Sequence, residues 1–535
     1  MSRTVFTLAF IIFSFNTSSV NSDLAGTWKG FNDAPTGLGA LALTFGRQGT
    51  EWKAVCKFPE IDGENTFPIR DLTVNDTNIS FEIEVAAESR QMRFSGRLVG
   101  DKLEGTYEMF RAGSRVYAGE WSVRRAQPEA SSARVPAHTV QSDDGTSRRP
   151  LSEQGDRNRA ELPPPTGPSI VGRATLYWKD PARPETLTDD PHDRRELMVT
   201  LWYPARKVTG LAPAVYFPSY KLIVGQSSAP LPASRKADAF ERAPLASARR
   251  PFPVLVFSHG LGENTARYSA QLEDLASHGY VVAAIDHTYD NQGTLFPDGR
   301  VARYSERWEW AFDGEGVEQE RFIRAQLRVM VEDVSFVVNQ LSRLNGEQSS
   351  AFKRALDVAD LGFFGHSLGG AIAPLVCQTD KRFKACLNQD GLLLGQALIL
   401  DPDGGKLERP FMFLGHTDGV AEETLRLMAL TRAEYEEHDR ARRLRAYRVL
   451  DTIPLESYVI AVNRAAHSSF TDRPLLEANT TTGYEDRVRA LQAIRDYTRA
   501  FFDQYLLAKH PRLLAVTTNV YPEVVVEHFG LSVRR

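Results

Sequence analysis

The sequence predicts an α/β fold, a mostly parallel sheet flanked by helices, preceded by a small all-β domain. Three observations carry this. After residue 166, short continuous apolar runs alternate with helical stretches, as buried parallel strands and their crossover helices require. Residues 24–125 instead show period-two alternation broken by glycines. Between the two lies a segment without any aromatic residue, from Trp121 to Tyr177. At 535 residues the chain is long enough for two or more domains. Its 42% hydrophobic and 25% charged content excludes wholesale disorder. Lys+Arg 64 against Asp+Glu 68 leaves a net charge of -4, so there is no basic footprint for nucleic acid. Three cysteines (Cys56, Cys377, Cys386) make neither a disulfide scaffold nor a zinc site, and no metal or organic cofactor is expected.

The N-terminus places Arg3 before an apolar run over residues 5–15. Eleven helical residues rise about 16 Å, about half a bilayer core, so the run is too short to span. With small polar residues through Ser22, and Val20 and Ser22 before the cut, residues 1–22 read as a cleaved export signal. A buried N-terminal strand is the alternative reading. No cysteine follows for a lipid anchor, and no later run reaches transmembrane length. The expected location is secreted or periplasmic.

In residues 23–125 the strand candidates are 41–45, 52–57, 79–85, 92–98, 103–110 and 117–123. Ile79, Phe81, Ile83 and Val85 alternate with Ser80, Glu82 and Glu84, the mark of a half-buried strand. The expectation is a lipocalin-like barrel or sandwich; Gly26-Thr27-Trp28 resembles the Gly-x-Trp opening of such barrels. Residues 126–166, rich in Ala, Ser, Pro and Arg and ending in Pro163-Pro164-Pro165, bury too little apolar surface to offset ordering entropy and read as a disordered linker. Residues 167–510 form the α/β catalytic domain, and 511–535 a C-terminal tail. Within it, 254–257, 281–285 and 361–364 are strands, 270–277 and 325–344 are helices, and 425–448 is a charged, solvated helical insertion.

The sharpest chemical signal is Gly365-His366-Ser367-Leu368-Gly369. By composition, a G-x-S-x-G arises about 0.2 times in a chain of this length. Here it is flanked by an apolar strand (361–364) and a helix start (370–375), the strand–elbow–helix that exposes a nucleophilic serine in the α/β-hydrolase fold. Serine needs a base, and in this fold the chain order is serine, acid, histidine. Of the later histidines, His438 lies in the charged helix, His510 precedes Pro511, and His528 is in the tail; His416 and His467 remain. His467, in a loop after the apolar run 458–462, is the expected base. Asp390 and Asp418 each follow a strand, and periodicity does not choose the acid between them. The oxyanion donors should be the N–H groups of Leu368 and Leu261, the latter in the turn Ser258-His259-Gly260-Leu261-Gly262. Asp286 and His287 end the strand 281–285; they could line the mouth of the site but are read as structural. Cys377 and Cys386 are nine residues apart, and whether they pair stays open; Asn75, Asn78 and Asn479 lie in glycosylation sequons.

Five segments in order, "FSHGLG", "LASHGYVVAAIDH", "GHSLGGA", "LNQDG" and "AHSSFTD", resemble the secreted type of platelet-activating factor acetylhydrolase, and "RELMVTLWYPA" resembles the N-terminal strand of its bacterial relatives. The resemblance spans about 167–502. It implies Ser367 as nucleophile, Asp390 as acid, His467 as base, and Leu261 and Leu368 at the oxyanion. It further implies metal-free release of short or oxidised sn-2 acyl groups from phospholipids, with peripheral contact to lipid surfaces. The sequence departs from the family at Leu368, where the animal enzymes carry Phe, and at Gly391-Leu392-Leu393, which lacks the family's aromatic. Residues 206–250 and 420–448 look like insertions. Two other readings are a general carboxylesterase or a dienelactone- or polyester-cleaving enzyme on the same fold, and a lipid-binding protein with a vestigial hydrolase domain.

Overall fold

The computed structural model describes residues 24–34, 37–48, 51–59, 66–85, 90–111, 114–126, 161–223, 236–313, 317–391, 406–417, 420, 422–446, 450, 453, 456–463, 465–476, 483–515 and 520–529. The expected signal (1–22), most of the linker, Leu392, Leu393, Asp418 and Asn479 lie outside them. The chain divides into two compact units, Met1–Gln141 with Val420–Arg442, and Ser142–Gly419 with Arg443–Arg535.

In the first unit eight antiparallel strands close into a barrel in chain order. They are β1 (Gly26–Ala34), β2 (Gly37–Gln48), β3 (Glu51–Lys57), β4 (Thr66–Asn75), β5 (Asn78–Val85), β6 (Arg90–Val99), β7 (Lys102–Arg111) and β8 (Ser114–Arg125). β8 returns to β1, with Trp28 opposite Arg125 and Asn32 opposite Trp121. Alternation sends Ile79, Phe81 and Ile83 inward, where aromatic rings fill the interior. Phe94 stacks between Phe81 (4.7 Å) and Tyr107 (5.1 Å), and Trp121 meets Phe81 and Phe94 edge-on. Two strands escape the sequence pattern. β1 buries Asn32 and Asp33, whose polar groups the Tyr107 hydroxyl serves by donating to the Asp33 carbonyl (2.6 Å). β4 breaks register between Arg70 and Thr73, with Asp71 at φ 50°, so its alternation lapses.

The same unit contains the helices Glu422–Met428 and most of Arg432–Ala446. They are not simply solvated, as the charge pattern suggested. Met428 is buried with Phe31, Leu38 and Ala40 of the barrel, and Leu427, Leu430 and Tyr435 pack around it. Arg124 donates to Glu434 (3.2 Å), and the His438 ring lies 4.4 Å from Phe31. Phe31 faces away from Trp28 by strand alternation, so the helices cover an apolar patch on the outside of the barrel.

The second unit is built on an eleven-stranded sheet. Its strands are β9 (Ile170–Pro184), β10 (Arg194–Ala205), β11 (Pro213–Val215), β12 (Lys236–Glu241), β13 (Phe252–Ser258), β14 (Val281–Asp286), β17 (Leu356–His366), β18 (Phe383–Gln389), β19 (Phe411–Thr417), β20 (Ser457–Asn463) and β21 (Val524–Phe529); β15 (Gly293–Leu295) and β16 (Val301–Arg303) pair separately. The order is β11-β12-β9-β10-β14-β13-β17-β18-β19-β20-β21, parallel from β14 through β20 and antiparallel at β9–β10–β14 and β20–β21. Helices Ser269–Ser277 and Tyr484–Leu507 cover one face through Leu272, Leu275, Ile494, Tyr497 and Phe502. Helices Val317–Gly346 and Ala373–Thr379 cover the other through Leu327, Met330, Val334 and Val376. Central strands buried on both faces explain the continuous apolar runs read from the sequence. This is the α/β-hydrolase arrangement expected above.

Two boundaries move. The expected tail contributes β21, whose Val524–Val526 pair with β20, so the terminus is part of the sheet. The last linker residues, 161–166, are held by the catalytic unit: Arg495 donates to the Pro163 and Pro164 carbonyls, and Thr166 to Asp274. Cys377 and Cys386 form a disulfide between helix Ala373–Thr379 and β18, while Cys56 is free and buried in the barrel. Among the described residues, no helix is long and apolar enough to cross a membrane.

Candidate active site

β17 ends at His366, and Ser367 turns the chain into a helix at Leu368 with φ 54° and ψ −118°. A non-glycine residue at positive φ is strained, and surrounding packing must hold it there. Both flanking glycines are required by contact. A Cβ at Gly365 would lie 2.3 Å from the Gly369 carbonyl oxygen, and one at Gly369 would lie 2.2 Å from the Ser258 carbonyl oxygen. The elbow therefore packs its backbone directly on the β13 end, and the Gly369 N–H donates to the His259 carbonyl (3.1 Å). The Ser367 N–H donates to the Gln389 carbonyl (2.9 Å), which ties the elbow to β18.

β18 delivers Asp390, and the loop after β20 delivers His467. The His467 Nε2 lies 3.0 Å from Ser367 Oγ, and its Nδ1 lies 2.5 Å from Asp390 Oδ2. The serine hydroxyl donates to Nε2, while Nδ1–H donates to the carboxylate. Asp390 is nearly buried. Burial raises its pKa, but the hydrogen bonds and charges of His416 and His467 outweigh that and hold it well below the usual carboxylate range. The His467 loop is pinned locally, since Ser469 Oγ accepts from the Ala466 N–H (3.0 Å) and Thr471 donates to the Ser468 carbonyl (2.8 Å).

The turn after β13 runs beside Ser367. A Cβ at Gly260 would sit 3.0 Å from the Ser367 Cβ. Most backbone donors in this turn are spoken for: Gly260 N–H by Tyr268, Gly262 N–H by the Asp290 carbonyl and Glu263 N–H by the Gly260 carbonyl. Among the described residues the Leu261 N–H has no partner, and neither does that of Leu368 at the first turn of the elbow helix. The sequence led to the expectation of oxyanion donors at these two positions.

Three sets of contacts escaped the sequence, although it had named some of the residues that make them. His416, at the end of β19, donates Nδ1–H to Asp390 Oδ2 (2.7 Å), so it joins the acid without reaching the serine. His366, the variable residue of the motif, is buried between Tyr268 and the His467 carbonyl. The third is a second, enclosed Ser-His-Asp series. Ser258 Oγ lies 2.9 Å from His287 Nε2, and His287 Nδ1 lies 2.8 Å from Asp333 Oδ2. All three are fully buried, so this series braces the turn rather than meeting a substrate. Burial raises the Asp333 pKa, but Arg195, His287 and Arg183 outweigh it and hold the carboxylate ionised. Asp286 is tied to Thr265 through both its carboxylate oxygens, which agrees with a structural role. No local pattern marks Tyr268 or Asp333, whereas His366 stood inside the G-x-S-x-G, and Ser258 and His287 inside two of the segments that carry the resemblance.

His366, Asp390 and His467 offer three metal-ligand atoms within 4.8 Å of one another. Their nitrogens and oxygens are already engaged, His467 with Ser367 and Asp390, His366 with Tyr268 and the His467 carbonyl. In this arrangement those atoms serve as hydrogen-bond partners.

Residues 157–484 match the family model described as platelet-activating factor acetylhydrolase, isoform II. The chain is 24% identical over 286 residues to a probable 1-alkyl-2-acetylglycerophosphocholine esterase of Arthroderma benhamiae, spanning 51% of this chain and 65% of that protein. It is 30% identical over 170 residues to the platelet-activating factor acetylhydrolase of Cavia porcellus, spanning 29% and 38% respectively. Each match thus covers less than two thirds of the relative's length. Among solved structures, a ferulic acid esterase from Streptomyces cinnamoneus is similar at TM-score 0.52 and 27% identity, over 68% of this chain and 98% of that one.

Proposed function

This chain belongs to the family of platelet-activating factor acetylhydrolase, isoform II, and we propose that it is a serine carboxylic-ester hydrolase acting on short or oxidised sn-2 acyl groups of phospholipids. The observation that carries the proposal is the spacing of Ser367, His467 and Asp390, 3.0 Å and 2.5 Å along one proton path. Ser367 Oγ attacks the ester carbonyl while His467 Nε2 takes its proton, and Asp390 holds the imidazole tautomer and stabilises the cation that forms. The oxyanion is received by the Leu261 and Leu368 N–H groups. His467 then protonates the departing alcohol, and a water molecule, activated by the same imidazole, releases the acyl group. The intact site counts against a vestigial hydrolase domain, and the N-terminal run fits an exported, secreted or periplasmic protein.

The ferulic acid esterase likeness favours a second reading, hydrolysis of simple or aromatic carboxylic esters by the same residues. The test is hydrolysis of 2-acetyl and 2-palmitoyl phosphatidylcholine, methyl ferulate and a p-nitrophenyl ester series by wild type and Ser367→Ala. Acetyl-selective phospholipid cleavage that disappears in the variant is the expected result. Cleavage of methyl ferulate and p-nitrophenyl esters but of neither phospholipid would replace the substrate with the second reading. Activity surviving in Ser367→Ala would remove the nucleophile.

A further inference from the structure

Tyr268 sits at the end of the short helical turn Thr265–Tyr268, fully buried, with its hydroxyl between two catalytic loops. The Gly260 N–H donates to that hydroxyl (3.0 Å), and the hydroxyl lies 2.9 Å from His366 Nδ1. At the other edge of the ring, His366 Nε2 lies 3.0 Å from the His467 carbonyl oxygen. The proton positions follow from the groups themselves. A carbonyl only accepts, so Nε2 carries the hydrogen; in a neutral ring Nδ1 then accepts, and the tyrosine O–H donates to it. Burial, and then the neighbouring His467, push the His366 pKa down to about 3, which keeps the ring neutral. The ring is also clamped by stacking on Phe470 at 5.4 Å.

The result is a single series, Gly260 N–H to Tyr268 Oη, Tyr268 O–H to His366 Nδ1, His366 Nε2–H to the His467 carbonyl. Its first member precedes Leu261, the proposed oxyanion donor. Its third precedes Ser367, and its last is the backbone of the proposed base. We propose that Tyr268 and His366 are positioning residues that set the oxyanion turn and the base loop to one common geometry around Ser367. The proposal rests on the reading of Ser367 and His467 given above. It assigns neither residue any contact with substrate. A displacement of about 1 Å at either loop costs about a hundredfold in rate, so the series is a means of holding both at once.

The experiment is steady-state kinetics on p-nitrophenyl acetate with thermal melts, for Tyr268→Phe, His366→Gln, His366→Leu and the double variant Tyr268→Phe/His366→Gln. Tyr268→Phe keeps the ring and removes the hydroxyl; kcat should fall about ten- to a hundredfold, with KM within about twofold. His366→Gln retains an N–H that reaches the His467 carbonyl and should keep more activity than His366→Leu. Because the two residues act through one series, the double variant should lie within about twofold of the poorer single one. Wild-type kcat in folded Tyr268→Phe, or losses that multiply in the double variant, would overturn the proposal. If Tyr268→Phe does not fold, equal activities of His366→Gln and His366→Leu overturn it from the other end. Full activity in Ser367→Ala would instead strike the reading beneath it.

Discussion

His416 and His467 donate to the same atom, Oδ2 of Asp390, at 2.7 Å and 2.5 Å. Only His467 also reaches Ser367, so the two histidines have unequal chemical parts despite their shared acceptor. His467→Ala should lower kcat by about six orders of magnitude, as loss of a triad base does. His416→Ala leaves the proton path intact and should cost about tenfold or less. A p-nitrophenyl acetate assay of both variants checks this; equal losses would mean that His416 is part of the proton path.

The choice of acid is testable in the same way. Asp390→Asn keeps the shape of the side chain but lets the imidazole take the wrong tautomer, so kcat should drop about 10⁴-fold. Asp418→Asn should leave kcat near that of the wild type. The opposite pattern would move the acid to Asp418.

The Cys377–Cys386 bridge closes a loop with a sequence separation of nine, joining the helix after Ser367 to the strand before Asp390. Chain-entropy arguments put its contribution at about 2–3 kcal/mol. The paired Cys377→Ser/Cys386→Ser variant, and dithiothreitol treatment of the wild type, should lower the unfolding free energy by a matching amount and the urea midpoint with it. Unchanged midpoints in urea titrations would show that the bridge adds no net stability.

His366 also makes a prediction about acid. Its folded pKa is pushed down to about 3, first by burial, against an unfolded value near 6.5. The unfolded chain therefore binds this proton first, so the stability tied to the neutral ring is complete above about pH 6.5 and drains away as pH falls toward 3. His366→Gln removes that uptake. Urea titrations from pH 7 to 4 should show unfolding free energy falling less steeply in the variant, by about 1.4 kcal/mol per pH unit. Parallel curves would mean that the wild-type ring is protonated in the folded state.

The elbow was legible because its determinants are local: the strand, the two glycines and the serine lie within nine residues, and steric contact at Gly365 and Gly369 demands the pattern. The acid was not, because Asp390 and Asp418 both follow apolar strands. Which of two strand ends faces a histidine 77 residues beyond Asp390 is a property of sheet order and loop course, not of periodicity. Tyr268 and His366 are 98 residues apart, and Ser258 and Asp333 meet only through His287, so no window of sequence holds either group. β21 was missed for a different reason. Val524, Val525 and Val526 are good strand formers, but an antiparallel strand added at the edge after the last helix breaks the alternation of helix and strand from which the domain was read.

The packing of Met428 on Phe31, Leu38 and Ala40 has a consequence for biosynthesis. The barrel strands are complete at Arg125, whereas the helices that cover this patch begin near Val420. At about 5–20 residues per second, roughly 15–60 s of translation separate the two. A barrel that folds within that interval would carry an uncovered apolar patch, open to chaperones and neighbouring chains until its own later sequence arrives. The N-terminal unit is therefore complete only once residues 420–442, far along the chain, have been made.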